Sequence, residues 1–298
     1  MIRRVNYSAW LSTAFCLVLT VLAGACAASR PVDPAGPRAN EPPYPVLLVE
    51  DVDRRETALG EWTTLTRDQG VMNAPAPELQ PVTATLRSLP QLPAPLYLPK
   101  VGEGTPMTEE ETRESLRRFI LYAHDLIGAE PRQLSLVLRT DLADGTKKAQ
   151  YRQRPFRYPI RGGYGVLEIS FAPDRRILQV TSTCIPGADQ LQRAGAGVRP
   201  TVTADQVAQR LSGQTITYTD AARNSHTLTV NSTAEITARE LVVYPRPRAS
   251  DPSVLEFHLA WEVGINPANE RAAYLVYLDA VTGEIIAAVQ FSTEGISG

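Results

Sequence analysis

The chain has 298 residues, enough for two ordinary domains, and an apolar fraction of 43%, which is typical of a globular protein with a core. Its 30 Lys and Arg residues nearly balance 32 Asp and Glu residues, so the net charge of -2 gives no basic surface for nucleic acid. Cys16, Cys26 and Cys184 are too few for a disulfide framework and match no zinc-binding spacing. The composition therefore argues against whole-chain disorder, nucleic-acid binding and a disulfide-rich fold.

Residues 1–25 have the pattern of a secretory signal peptide. Arg3 and Arg4 precede an uncharged stretch that ends in LAGAC, a run of small residues and a cysteine. This ending resembles a bacterial lipobox, in which the signal is cut before a cysteine that carries lipid. We therefore expect secretion across the inner membrane and lipid anchoring of Cys26 in the bacterial cell envelope, in the periplasm or at the outer membrane. Ordinary cleavage after Ala25, or an uncleaved membrane span, are the alternatives.

Residues 26–105 are rich in proline, as in RPVDPAGPRANEPPYP and LPQLPAPLYLPK. Because proline favours extended backbone, this segment is predicted to be a tether that passes into a loosely structured lead-in. A short strand is expected within VLLVEDV. Glu50, Asp51 and Asp53 offer too few suitably spaced oxygens for a cation site and are interpreted as a solvated charge cluster.

A first folded unit is predicted at residues 106–190, beginning with a helix. Thr108 and Glu111 form a capping-box pair, helical apolar spacing follows, and Gly128 ends it. The next segments alternate like strands between the turn sequences ADGT and APDR: QLSLVLRTDL, KKAQYRQRPFRYPI, GVLEISFA and RRILQVTST. The pattern predicts a helix on an antiparallel meander. His124 lies in the last helical turn and is assigned a structural role.

The same layout is predicted to repeat in a second unit, residues 198–292. Thr203 and Gln206 form a second capping box, and Gly213 ends the helical pattern. The strand-like segments after it are TITYT, HTLTV, ELVVYP, VLEFHLAWEV, AAYLVYLDA and EIIAAV. In VLEFHLAWEV the odd-numbered residues are the large apolar ones, so we expect them to face the core. The chain is thus predicted to be α+β, with two successive helix-on-antiparallel-sheet units after a Pro-rich lead-in.

The last predicted hairpin lies in YLVYLDAVTGEIIAAV, residues 274–289. Asp279 can accept hydrogen bonds from the amides that follow it, and Thr282 can add another. Gly283 supplies the left-handed residue that a bulged hairpin loop demands. These residues specify a fold and do not by themselves carry out chemistry.

Two stretches resemble known domains. YLDAVTGEII, preceded by LAWEV, resembles the closing hairpin of the PepSY domain. The hairpin-motif residues here are Tyr277, Asp279, Ala280, Thr282, Gly283 and Glu284. Upstream, AQYRQRPFRYPIRGGYGVLEISF resembles the FTP domain of fungalysin and thermolysin propeptides, through Tyr151, Gln153 and the turn at Pro159 and Ile160. This order of domains is that of the propeptide of thermolysin-like metallopeptidases, so the resemblance implies a propeptide-like module without the peptidase domain.

No pattern for a zinc peptidase is present. Such a site needs His-Glu-x-x-His on a helix, whereas none of His124, His226 and His258 has a second histidine four residues away. His258 and Glu262 are separated by roughly 13 Å if they lie on a strand, and are interpreted as exposed strand residues. No other catalytic, cofactor-binding or metal-binding pattern is recognised, and we expect a non-catalytic protein without a cofactor.

Two functional hypotheses follow. The resemblance implies a secreted, lipid-anchored binding module that binds, inhibits or assists the folding of a secreted metallopeptidase in trans, or binds another extracytoplasmic peptide. The alternative is a cell-envelope binding or structural lipoprotein with no peptidase partner. The first hypothesis requires an exposed sheet edge or face with apolar anchors, which the sequence alone does not locate.

Overall fold

The structure, a computed structural model, describes residues 44–104, 107–154, 156–220, 222–267 and 273–291. The predicted signal peptide and Cys26 lie outside these ranges. The described part contains five α-helices, a four-stranded sheet, a seven-stranded sheet and a two-stranded ribbon. The fold class is therefore α+β, as predicted. Within the same ranges, no helix has the length and hydrophobicity needed to cross a bilayer.

The helices begin where the sequence offers side-chain caps. Their bounds are α1 Val52–Asp68, α2 Glu109–Tyr122, α3 His124–Ile127, α4 Ala188–Ala194 and α5 Ala204–Leu211. At the start of α2 the predicted capping box is present, because the Glu111 amide donates to Thr108 Oγ1 at 3.2 Å and the Thr108 amide donates to Glu111 Oε2 at 2.8 Å. Asp51 caps α1 by accepting the amide of Arg54 at 3.0 Å.

The strands form two main sheets. Their bounds are β1 Val46–Leu48, β2 Glu78–Leu79, β3 Leu86–Ser88, β4 Leu134–Asp141, β5 Lys147–Gln153, β6 Val166–Phe171, β7 Ile177–Ser182, β8 Thr215–Thr219, β9 Ser225–Thr229, β10 Ile236–Arg248, β11 Asp251–Ile265, β12 Ala273–Asp279 and β13 Ile285–Phe291. The smaller sheet is the antiparallel meander β4-β5-β6-β7. The larger sheet has the order β1-β11-β12-β13-β8-β9, and β10 also pairs with β11.

The predicted loose lead-in is wrong for residues 46–98, which contribute a strand and a long helix. Trp62 and Leu65 of α1 are buried in the same core as α2 and the smaller sheet, and Leu96 and Leu98 are buried there as well. The physical reason is local composition, because no proline interrupts residues 46–74. The prolines of residues 26–105 lie on either side of this stretch, so the composition of the whole segment did not indicate a helix.

Each main sheet has its own core, and a short parallel contact joins them. The core of the smaller sheet packs against α1 and α2, whereas that of the larger sheet includes Val207 and Leu211 of α5. Between the sheets, the Val243 amide of β10 donates to the Pro159 carbonyl at 2.8 Å, and the Arg161 amide donates to the Val243 carbonyl at 3.0 Å. The segment after β5 therefore adds backbone hydrogen bonds to the other sheet.

Strand β11 is buried on both faces, which corrects the prediction that only its odd-numbered residues face a core. His258 and Glu262, interpreted as exposed from the sequence, are 8% and 6% exposed, and Ala260 is fully buried. The reason is that β11 is a central strand, with β10 on one side and β1 and β12 on the other. Its polar residues are compatible with burial because each has a charged partner.

Candidate functional site

The hairpin motif forms a turn held by side-chain hydrogen bonds. Asp279 Oδ1 accepts the amides of Val281 at 2.8 Å and Thr282 at 3.0 Å. Thr282 Oγ1 accepts the amide of Glu284 at 3.3 Å. Gly283 has a φ of 79°, and its amide donates to the Asp279 carbonyl at 2.9 Å. The turn thus has the hydrogen bonds and the left-handed glycine that its sequence predicts.

Two further motif residues connect the hairpin to the rest of the fold. The Ala280 carbonyl accepts the amides of Thr201 at 2.8 Å and Val202 at 2.9 Å, which fixes the segment that leads into α5. Tyr277 lies beside the buried carboxylate of Glu262, 3.5 Å from its Oε2. Burial, followed by the nearby Glu262 charge, raises the pKa of Tyr277 to about 12, so this phenol stays protonated. These contacts assign architectural roles to both residues.

The carboxylate of Asp279 also belongs to a partly buried cluster formed by Tyr44, Glu256, His258 and Asp279, named here the junction cluster. Asp279 Oδ2 lies 2.8 Å from His258 Nδ1 and accepts the Tyr44 hydroxyl at 2.6 Å. His258 Nε2 lies 3.2 Å from Glu256 Oε2, and the Tyr44 ring packs on the imidazole with centroids 4.0 Å apart. The histidine therefore lies between two carboxylates.

The electrostatics of the junction cluster favour an ionised Asp279. Burial by itself raises the pKa of this carboxyl. Hydrogen bonds from His258, Tyr44 and the turn amides lower the pKa by a larger amount, so the net shift is downward. Burial and the same carboxylate raise the pKa of Tyr44. The cluster is thus a hydrogen-bonded ionic site within the fold. The sequence does not reveal it, because Tyr44 and Asp279 are 235 positions apart.

A second, partly buried ionic group links the segment after β5 to β11. Arg161 lies within the FTP-like stretch, and its Nε donates to Glu262 Oε2 at 2.6 Å while its Nη2 donates to Glu240 Oε1 at 2.6 Å. Burial opposes the charge on Arg161, but the two glutamates outweigh it and raise the pKa. The FTP-like residue Gln153 is also structural, because its Oε1 accepts the Ile185 amide at 2.7 Å.

A cluster of metal-ligand residue types occurs at the start of α3. Glu61, His124 and Asp125 have ligand atoms within 4.8 Å of one another. However, Glu61 Oε2 already accepts the Leu126 amide at 2.6 Å, and the two imidazole nitrogens of His124 each lie 3.4 Å from a carboxylate. These contacts cap and stabilise a short helix, so the structure gives the cluster a structural role.

Three consecutive exposed apolar residues lie on β4, at one edge of the smaller sheet. Within the described residues β4 pairs only with β5. Leu136, Val137 and Leu138 form its apolar triplet and are 41%, 46% and 51% exposed. Such an edge strand offers unpaired backbone groups and apolar side chains together.

The triplet presents side chains on both sides of the sheet. Leu136 pairs with the core-facing Tyr151, so it lies on the face that packs against α2, whereas Leu138 pairs with Gln150 on the opposite face. The register shifts between Leu136 and Leu138, which places Val137 at a bulge. The edge therefore exposes apolar side chains on both faces of the sheet.

Comparison with known proteins gives little beyond this description. No protein-family model matches the chain, and no curated protein matches it. Among solved structures, a similarity is found to the "Bacillus megaterium YpeB C-terminal domain", with a TM-score of 0.29 and 8% sequence identity over 72% of this chain and 76% of that chain. A similarity this distant carries no functional argument.

Proposed function

We propose that the chain is a non-catalytic binding module that binds a secreted peptidase in trans, with the apolar triplet of β4 as the docking surface. The observation that carries the proposal is the exposure of Leu136, Val137 and Leu138 on a strand with a free edge in the described structure. The propeptide resemblance of the sequence supplies the class of partner.

The physical basis is strand addition. An extended segment of the partner can pair with the free N–H and C=O groups of β4, while its side chains pack on the exposed leucines. Full burial of an aliphatic side chain contributes roughly 1.5–3 kcal/mol, so three such groups supply several kcal/mol against the entropy lost on association. The bulge at Val137 restricts regular pairing to the residues on either side of it.

The proposal includes lipid anchoring at Cys26. The signal pattern of residues 1–25 supports it, because a cysteine ends the small-residue run. Metabolic labelling with a fatty acid should mark the full chain and leave Cys26→Ser unlabelled. Label on both proteins, or on neither, would contradict the anchor.

A pull-down of the full chain from its own envelope fraction tests the partner. We expect a peptidase to be retained, identified by mass spectrometry, and its activity to change when it is released. Val137→Lys and Leu138→Lys should lose the peptidase. Leu178→Lys is the matched control, because Leu178 is 48% exposed on β7, at the other edge of the same sheet.

Three results would be informative in different ways. Retention of the peptidase by both β4 variants would rule out β4 as the docking surface. Loss of the peptidase from Leu178→Lys as well would show that added charge, and not position, causes the effect. Retention of no peptidase by the unmodified chain would favour the alternative of a cell-envelope module without a peptidase partner.

A further inference from the structure

A second candidate site lies away from β4, in a groove of about 270 Å³. One wall is the segment after β5, which carries Phe156, Arg157 and Tyr158. The turn after α4 also lines it, through Gly195, Ala196, Val198 and Arg199. The buried side chains of β10 and β11 beneath it are Val243, Phe257 and Leu259. We name it the arginine groove, because Arg157 and Arg199 are its charged lining residues.

The groove has positive charge without compensating negative charge. None of its lining residues is Asp or Glu. Within the described part of the chain, neither Arg157 nor Arg199 forms an ion pair with a carboxylate, whereas Arg161, in the same segment as Arg157, pairs with Glu240 and Glu262. Two arginines without a lining carboxylate make the groove electrostatically complementary to an anion.

Local contacts hold both guanidinium groups near the groove. Arg199 Nη1 donates to the carbonyls of Ala196 at 2.6 Å and Val198 at 3.1 Å. The Arg157 guanidinium lies 5.5 Å from the centroid of the Tyr158 ring. Each guanidinium has five N–H donors, so these contacts leave donors that can reach an anionic ligand.

The floor of the groove is apolar and partly aromatic. The rings of Phe156 and Phe257 have centroids 5.8 Å apart, and Leu259 and Val243 extend the same surface. Gln192 adds a neutral amide among the lining residues, able both to donate and to accept hydrogen bonds. A ligand that matches this lining has an apolar group, an adjacent anion and an amide.

We propose that the arginine groove binds the C-terminal residue of a peptide that ends in an apolar side chain. The apolar side chain packs on the Phe156 and Phe257 rings, and the free α-carboxylate pairs with the guanidinium of Arg157 or Arg199. The peptide amide is the group that Gln192 can recognise and that a simple acyl carboxylate lacks. A groove of this volume suits a ligand of one or two residues.

This inference goes beyond the proposed function and does not depend on it. The β4 triplet contributes no residue to the groove, so either site can fail while the other holds. Every cut by a peptidase generates a new α-carboxylate, and the groove would therefore recognise cleaved peptides in the same compartment. The peptide and the β4 partner would then bind at different places on one module.

The test is fluorescence anisotropy of the full chain with an N-terminally labelled tetrapeptide that ends in Leu. We expect the free acid to bind about tenfold more tightly than the C-terminal amide, the effect of one charge-assisted contact. Added salt should reduce this preference. The double variant Arg157→Gln/Arg199→Gln should bind acid and amide equally. Arg55→Gln is the control, since Arg55 is an exposed arginine of α1 outside the groove.

A variant that fills the groove and a competing fatty acid extend the test. Ala196→Trp narrows the groove without removing charge, and should weaken binding of the acid about tenfold at an unchanged melting temperature. Equal binding of acid and amide by the unmodified chain, no binding of either, or undiminished binding by Ala196→Trp would overturn the proposal. Displacement of the peptide by decanoate at the same concentration would assign the groove to acyl carboxylates instead. Val137→Lys should bind the peptide normally.

Discussion

Strands β11 and β4 reverse the usual relation between residue type and burial. β11 buries a histidine and a glutamate, whereas β4 leaves two leucines and a valine exposed. The difference comes from position, because β11 has neighbours on both sides and β4 is an edge strand with a neighbour on one side. In β11 the burial is supported by ion partners. In β4 the exposed apolar groups have no partner within the described fold, which is the pattern expected of a binding surface.

The largest expected effect is at the junction cluster. Asp279→Ala should destabilise the fold by about 3–5 kcal/mol, because it leaves buried polar groups of His258 and Tyr44 without their partner. Chemical denaturation monitored by circular dichroism measures this loss. Asp251→Ala, an exposed position at the start of β11, is the control and should cost far less. A loss of under about 1 kcal/mol for Asp279→Ala would show that the cluster contributes little.

Arg161 allows buried and exposed partners of one cation to be compared. Glu262→Ala should cost about 3 kcal/mol, because Glu262 is buried and its removal leaves Arg161 partly desolvated. Glu240→Ala removes the partner that is 48% exposed and should cost at most about 1 kcal/mol. Denaturant unfolding measures both losses of unfolding free energy. Equal losses for the two variants would mean that burial does not determine how much each ion pair stabilises the fold.

Acid pH should weaken the junction cluster. The pKa of Asp279 is lower in the fold than in the unfolded chain, where it is about 4. Between these two values the unfolded state binds more protons, so stability is present above the unfolded pKa and is lost as the pH falls through the folded pKa. Unfolding free energies measured between pH 5 and pH 2 should fall less steeply for Asp279→Asn than for the unmodified chain. Parallel curves would exclude Asp279 as a contributor.

The smallest expected effect is at β4. Leu138→Lys should change the unfolding free energy by no more than about 0.5 kcal/mol, because about half of the residue is already in solvent. Leu167→Ala, at a fully buried position of β6, should cost about 2–5 kcal/mol. Thermal unfolding compares the two variants. A large loss for Leu138→Lys would assign the triplet to folding stability and remove the argument that it serves a partner.

Local patterns predicted much of this fold. The capping box at Thr108 and the turn at Gly283 depend on residues a few positions apart, and both have the expected geometry. Three of the four meander strands follow the predicted segments closely, because period-two alternation and turn residues are also local signals. The exception is β5, which ends at Gln153, whereas the predicted segment continues to Ile160.

The sites depend on distant pairs and were not predictable in the same way. His258 approaches Asp279 only because β11 and β12 pair in a particular register, and Tyr44 joins them from the other end of the chain. Alternation in one strand cannot show that a central position has a buried counter-ion. The exposed edge at β4 likewise follows from the order of strands in the sheet. The sequence LSLVL, residues 134–138, predicts a strand but does not indicate whether that strand lies at an edge.

Strand β11 carries two neighbours in succession on one side, β1 beside Val254–Glu256 and β12 beside Ala260–Ile265. β1 is short, and the chain enters it through Tyr44, which is held by the Asp279 carboxylate. If Cys26 is fixed to a membrane, mechanical tension on the chain between Cys26 and Tyr44 would be borne first by this hydrogen bond and the β1 ladder. Detachment of the first strand would also expose Leu47, which is buried with Leu255 and Phe257.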